Sequence, residues 1–260
     1  MNKKLDIELF VAVSLGMGIN DNGFIRGLVG PLVNRKVGNK NYLQSRPYRV
    51  RQTDDTKKAG KDFGKVSRTG AMLRMMFGAI HQELHDGQMG NRLNRQIYRT
   101  LKTNLASDRG SRTLSNCVLD RMVNFQFNEN CNMQDYLFVD PTVVLNKKHE
   151  LKISFPEFNI GRALALPKNC NAVVLKFHAY SFDFDEIDHK EIKDVEWEYD
   201  FSSSQDSIPA RTLTIRCKDY SGSSIMVGFT ILYLEKGIRR SNVLNEADFS
   251  PATILAAFQV

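Results

Sequence analysis

Hydrophobic positions change their period near the middle of the chain. Ala59, Phe63, Val66, Gly70, Leu73, Phe77, Ile80 and Leu84 recur at alternating steps of four and three, which makes one stripe on a helix. Thr53 with Asp54 and Asp55 supplies an N-cap and first-turn acids, and Gly87 a stop, so the pattern predicts a helix over 57–85. A second helix is predicted over Gly90–Asn104, with Leu93, Ile97 and Leu101 inward, and a shorter third over Leu114–Met122. From about Val123 the period is two. "VNFQFN", "LKISFPEF", "AVVLKFHAYSFDF", "VEWEYDF", "RTLTIRC" and "IMVGFTILYL" are rich in β-branched and aromatic residues and are separated by polar turns, and "ATILAAFQV" closes the chain as a last strand. Strands that follow one another without helices between them predict an antiparallel sandwich.

Ahead of the helices, "GFIRGLVGPLVNRKVGNKNYLQSRP" (Gly23 to Pro47) reads as a strand, a tight turn and a second strand. The predicted fold class is therefore α+β: a basic N-terminal hairpin and helices over 17–122, packed with an Ig-like antiparallel β-sandwich over 123–260. Gly60, Gly64, Gly70 and Gly78 are unusual in the long helix, since each glycine costs about 1 kcal/mol relative to alanine. Close approach by another backbone, on the same or a neighbouring chain, is the expected compensation.

Composition narrows the class. With 42% apolar and 25% charged residues, 260 residues suffice for one large or two ordinary globular domains. No uninterrupted apolar stretch approaches the roughly 20 residues that span a bilayer. The start has a basic tip and a short apolar run, Leu9–Leu15, but Asp6 and Glu8 sit where an export signal is uncharged or basic, so a cytoplasmic protein is expected. Cys117, Cys131, Cys170 and Cys217 are widely spaced without a CxxC pair, as expected of buried free thiols rather than a zinc or redox site.

No phosphate-binding GxxxxGK[ST], dinucleotide GxGxxG or GxSxG elbow is present, so neither an enzyme nor a cofactor or small-molecule substrate is expected. His81 and His85 in "HQELHD" share a helix face, but Gln82 stands where a zinc protease needs glutamate, and a solvated helix end is the expectation. "SFDFDEID" places Asp183 and Asp185 on one strand face. It lacks the spacing of a calcium loop and reads as an exposed acidic strand edge. His178 and His189 read as structural.

Charge carries the strongest functional signal. Residues 1–124 hold 22 Lys/Arg against 10 Asp/Glu, and residues 125–260 hold 14 against 19. Such asymmetry fits a polyanion partner for the basic half or head-to-tail contact between subunits. On the first reading Arg49, Arg51, Lys57, Lys61, Arg92, Arg95 and Arg99 bind nucleic acid, with Tyr42 and Tyr48 available to stack on bases. On the second, favoured reading the chain is a non-enzymatic structural or interaction protein. It docks to itself or to another protein through Gly27, Gly30, Arg35, Lys36, Lys40 and Arg46 of the hairpin and Gly60 and Gly64 of the helix.

Several short motifs resemble those of an uncharacterised family of small proteins in Bacteroidota-type bacteria. They are Gly27, Gly30 and Val33 in a G-x-x-G-x-x-V segment, Gly38 and Lys40 in a G-x-K turn, Arg46 with Pro47, and the stretch Thr53 to Phe63. Further on, Phe125–Asn128, Ile153–Phe158, Phe182–Phe184 and Gly228–Tyr233 continue the similarity. The resemblance implies a helix-plus-sandwich architecture and carries no reaction. It also implies a start near Met17, which would make residues 1–16 an upstream extension.

Overall fold

The computed structural model describes residues 18–46, 51–220, 223–238 and 240–260. The expectations for residues 1–16 and for Arg49 lie outside the described residues. The chain forms two compact units that divide between Thr53 and Asp54.

The first unit corrects the predicted two-stranded hairpin. Its described residues form a four-stranded antiparallel meander: β1 (Gly18–Asp21), β2 (Phe24–Val29), β3 (Leu32–Val37) and β4 (Lys40–Ser45), paired in sequence order. Two turns, not one, fall within 23–47, because both Gly30–Pro31 and Gly38–Asn39 are tight hairpin connections. Asn22 and Gly23 take φ of 50° and 83°, the type I′ pattern that matches strand twist. Gly30 (57°) and Gly38 (59°) occupy the first turn position, where a positive φ excludes most other residues.

In the second unit, α1 (Asp54–Met76) starts where the acidic first turn predicts but ends well before residue 85. Phe77 interrupts it, the single-turn α2 (Gly78–His81) follows, and Gln82 and Glu83 reverse the chain at φ of 50° and 61°. The left-handed residues end the helix before Gly87 is reached. The inward face of α1 begins at Val66. Phe63, assigned to that face by its spacing, is 64% exposed, and Asp62 beside it is fully buried instead, accepting a 2.9 Å hydrogen bond from the Gly110 backbone. That bond pins the 108–112 loop to α1, so a polar contact sets the limit of the apolar stripe. The second helix, α3 (Met89–Leu101), buries Leu93, Ile97 and Leu101 as its period requires. The predicted third helix is two separate 3₁₀ turns, Leu114–Asn116 and Leu119–Met122.

The remainder is antiparallel sheet. β8 (Ala172–Asp183) and β12 (Ser224–Lys236) pair along their length, β9 (Asp188–Asp200) flanks β8, and β13 (Ser241–Val243) and β14 (Ala252–Gln259) share the far side of β12. A three-stranded sheet has the order β11 (Arg211–Arg216), β6 (Glu150–Phe155), β5 (Thr142–Leu145). Short pieces complete the fold: β7 (Phe158–Asn159), α4 (Ile160–Ala163) and β10 (Ser207–Ile208). "VNFQFN" is not a regular strand; its backbone follows β14 through Asn124 N–H to Ile254 O (2.8 Å) and Phe127 N–H to Ala252 O (2.9 Å). The class is α+β with antiparallel sheets.

β8 and β12 are buried on both faces, which is why their sequences run continuously apolar instead of alternating. On one face Phe155 of β6 packs against Phe177, Phe229 and Trp197 at ring separations of 5.8, 5.9 and 6.1 Å. On the other, Phe77 meets Phe127 and Tyr180 at 5.7 Å and Phe182 at 6.2 Å. Gly228 makes this second contact possible. A Cβ there would lie 2.6 Å from Phe77 Cδ1 and 3.0 Å from Ile80 Cγ1. Among the described residues no helix is long and apolar enough to cross a membrane.

Half-buried Asp86 ties α3 to the 124–132 segment. Its carboxylate accepts from the backbone N–H of Gln88 (2.8 Å) and Glu129 (3.0 Å) and pairs with Arg92. Burial pushes its pKa up, but the Arg92 guanidinium and the two N–H donors outweigh burial and hold it below the ordinary carboxylate value.

Two stability measurements check this packing. Gly228→Ala forces an extra methyl against an aromatic ring and lowers stability by about 1–3 kcal/mol in urea unfolding. Adding Phe77→Leu returns part of that loss, and additive losses would show that the Gly228–Phe77 contact is not the constraint. Asp86→Asn lowers stability by about 2 kcal/mol at pH 7. A carboxylate with a depressed folded pKa stabilises above its unfolded pKa of about 3.9 and loses that contribution as pH falls through the folded value. The difference between wild type and Asp86→Asn therefore shrinks below about pH 4, and a pH-independent difference would contradict the charged pairing.

Candidate functional site

The residues assigned to partner binding fall in two places. Gly27, Gly30, Arg35, Lys36, Lys40 and Arg46 belong to the meander. Gly27 has φ of 105° inside β2, and Gly30 is a turn residue, so both have conformational reasons to be glycine. Arg35, Lys40 and Arg46 are exposed, and the Lys36 ammonium lies 4.0 Å from the centre of the Phe24 ring. Gly60 and Gly64 lie on the open part of α1. Nothing stands within 4 Å of where their Cβ atoms would be. Of the four helix glycines only Gly70 is closely approached within this chain, and by a side chain instead of the expected backbone: its Cβ would fall 2.0 Å from Asn94 Oδ1 of α3, while nothing stands within 4 Å of the Gly78 position.

The meander exposes apolar side chains on both faces. By strand alternation Ile25, Val29 and Leu43 point one way and Ile19, Val37 and Tyr42 the other. Ile19 is 70% and Leu43 61% exposed, and Asn34 is the one residue the described meander buries. The meander's described cations add a positive charge to this apolar surface.

Of the residues assigned to nucleic acid, Arg51 is exposed ahead of α1, Lys57 is paired with Asp54 at 3.0 Å, and Lys61 is exposed. Arg92, Arg95 and Arg99 are brought together. Their positions lie three and four apart on α3, opposite the buried Leu93, Ile97 and Leu101. They line a cleft of about 360 Å³ whose other wall includes Asn124, Phe125 and Asn132. Arg92 is fixed there: it donates to Gln126 O at 2.9 Å, pairs with Asp86, and lies 5.3 Å from the centre of the Phe125 ring. Glu129, 3.5 Å from Arg92 Nε, is the one carboxylate in the lining. Arg99 also lines an adjoining cleft of about 420 Å³ with Lys102, Leu105, Val118 and Arg121. The side chain of Gln96 donates to Arg121 O and so fastens the 119–122 turn against α3. The sequence shows the arginines but not Phe125 and Arg121, which line the first and second cleft from segments without helical period, nor Asp86, which pairs with Arg92.

The histidine and acidic motifs resolve into structure. His81 is not at a solvated helix end but buried. Its Nε2 lies 3.1 Å from Arg74 O, and its Nδ1 accepts the Glu83 N–H at 3.2 Å. These partners fix a neutral ring with its proton on Nε2, in keeping with burial, which lowers the pKa. "SFDFDEID" is not a strand edge but the β8–β9 turn, where Asp183 Oδ1 caps the N–H groups of Asp185 and Glu186 at 3.0 and 3.1 Å. Among the described residues no group of three or more His, Cys, Asp or Glu is placed to hold a metal. All four cysteines are free thiols.

No protein-family model, no curated protein and no solved structure matches the chain.

Proposed function

We propose that this chain is a non-enzymatic interaction protein that assembles with further copies of itself, docking through the N-terminal meander. The observation that carries the reading is the meander's surface, with three exposed large apolar side chains on each face. A small sheet becomes stable by packing an apolar face, and a contiguous exposed apolar patch is the usual mark of a docking surface. Its positive charge fits the acid-rich second half of the chain, residues 125–260, in a neighbouring copy. Gly60 and Gly64 offer a separate docking place on α1, since a neighbouring backbone can approach the helix where no side chain intervenes. The reading takes the two β layers as an Ig-like sandwich, supported by the Phe155, Phe177, Phe229 and Trp197 core they share. A cytoplasmic setting goes with it, supported by the free thiols.

Solution mass by light scattering, at low and high salt, tests the assembly. The wild type is expected as an oligomer. Val37→Asp with Leu43→Asp places a charge on each face of the meander and is expected to reduce the mass toward that of one chain. Gly60→Leu with Gly64→Leu is expected to weaken assembly without unfolding the monomer, because both Cβ positions are open. A wild type that stays monomeric at high concentration, or variants of unchanged mass, would sink the proposal.

A further inference from the structure

Beyond self-assembly, we propose that the two adjoining clefts along α3 form a groove for single-stranded nucleic acid, with Arg95, Arg99, Lys102 and Arg121 contacting its phosphates. Among the described residues the guanidinium groups of Arg95, Arg99 and Arg121 have neither a carboxylate partner nor a hydrogen bond. Lys102 is held only by the face of the Tyr98 ring, 4.5 Å away. Arg92 is different, since Asp86 and Glu129 already neutralise it. It serves as a rigid floor, clamped over Phe125 and onto the Gln126 carbonyl.

Geometry then selects the ligand class. The two clefts meet at Arg99, so the unneutralised charge runs along the groove rather than around one pocket. A single small anion would use one cleft and leave the cations of the other unpaired. Each cleft, at about 360 and about 420 Å³, matches the size of a small-ligand pocket and takes in a nucleotide unit. Exposed apolar side chains stand beside the cations in the second cleft, Leu105 and Val118, while in the first the Phe125 ring lies buried beneath Arg92. Unpaired bases present flat faces to such side chains, whereas a duplex keeps its bases stacked inside and offers only phosphates. Charge in line with apolar wall is the combination a single strand requires. Asn124 and Asn132 add amide groups that bond to bases or sugars without strong sequence preference.

Fluorescence anisotropy with a labelled mixed-sequence 12-nucleotide single strand, RNA and DNA in separate arms, tests the groove. Four phosphate contacts give a log–log salt slope of about −2.8 for a single strand. Arg95→Ala with Arg99→Ala is expected to reduce it to about −1.4 and to weaken binding on the order of 20-fold near 0.1 M salt. The two side chains are exposed and unpaired, so thermal stability and solution mass are expected to hold. A control pair, Lys152→Ala with Arg216→Ala on the three-stranded sheet, removes the same charge elsewhere and is expected to weaken binding by less than 3-fold, as roughly expected for distant screened charges. Four results would overturn the proposal: no binding of either strand at 0.1 M salt, an equal loss in the control pair, tighter binding of duplex than of single strand, or complete displacement by ATP at equal phosphate concentration. Because solution mass is read in the same samples, failure of the groove and failure of self-assembly are separately visible.

Discussion

The seating of Phe77 on Gly228 is the contact around which the second unit is arranged. A sheet buried on both faces needs a helical layer close enough to exclude water, and side chains on a central strand normally hold that layer away. Gly228 removes the obstacle at one point, and Phe77 fills it, with Ile80 beside it. Phe127, Tyr180 and Phe182 then close around the ring in edge or tilted contacts. The helix is interrupted at the same place. Phe77 is the residue between α1 and α2, so the fully buried side chain seated on Gly228 also marks the interruption of the helix.

The same layering explains where charge can go. β8 and β12 are buried on both faces along most of their length, and six acidic residues stand on the outer strand β9. Lys176 and Lys236 project from the inner strands and reach them. Lys176 pairs with Glu196 at 2.6 Å and Asp194 at 3.5 Å, and Lys236 pairs with Asp200 and Glu198. Charge on a long outer strand also discourages indiscriminate strand addition.

Much of this was legible in the sequence wherever burial is one-sided. The period of α3 names its buried residues correctly, and the alternation of β6 assigns Leu151, Ile153 and Phe155 inward. Period failed where polar contacts or chain reversal decided the outcome. The stripe on α1 continues through Phe63 on paper, yet Asp62 is turned inward because it bonds the Gly110 backbone some 48 residues away. Nothing in the residue types of "HQELHD" signals that Gln82 and Glu83 will adopt left-handed backbone, where the Glu83 N–H bonds to Nδ1 of the buried His81. The groove was half legible. Arginine spacing on α3 is a local fact, but its facing wall is built from residues 123–132, whose order comes from hydrogen bonds to β14.

The groove's arginines also make sense as a consequence of how α3 is anchored. Its apolar face fixes the helix rotation, and Asp86 fixes Arg92, so Arg95 and Arg99 have no freedom to turn toward the sheet. They stand four residues apart with like charge, an arrangement that disfavours a helix by roughly 0.2–0.5 kcal/mol. A helix needing only stability would lose nothing by placing a glutamate at one of these positions, and would gain about as much from the resulting pair. Glu129, the one acid in the lining of the first cleft, pairs with Arg92. What remains is a cationic row on a rigid support, where an anion entering the groove removes repulsion already present in the free protein and orders no backbone. Preorganisation of that kind favours association through lower reorganisation, not through greater contact area.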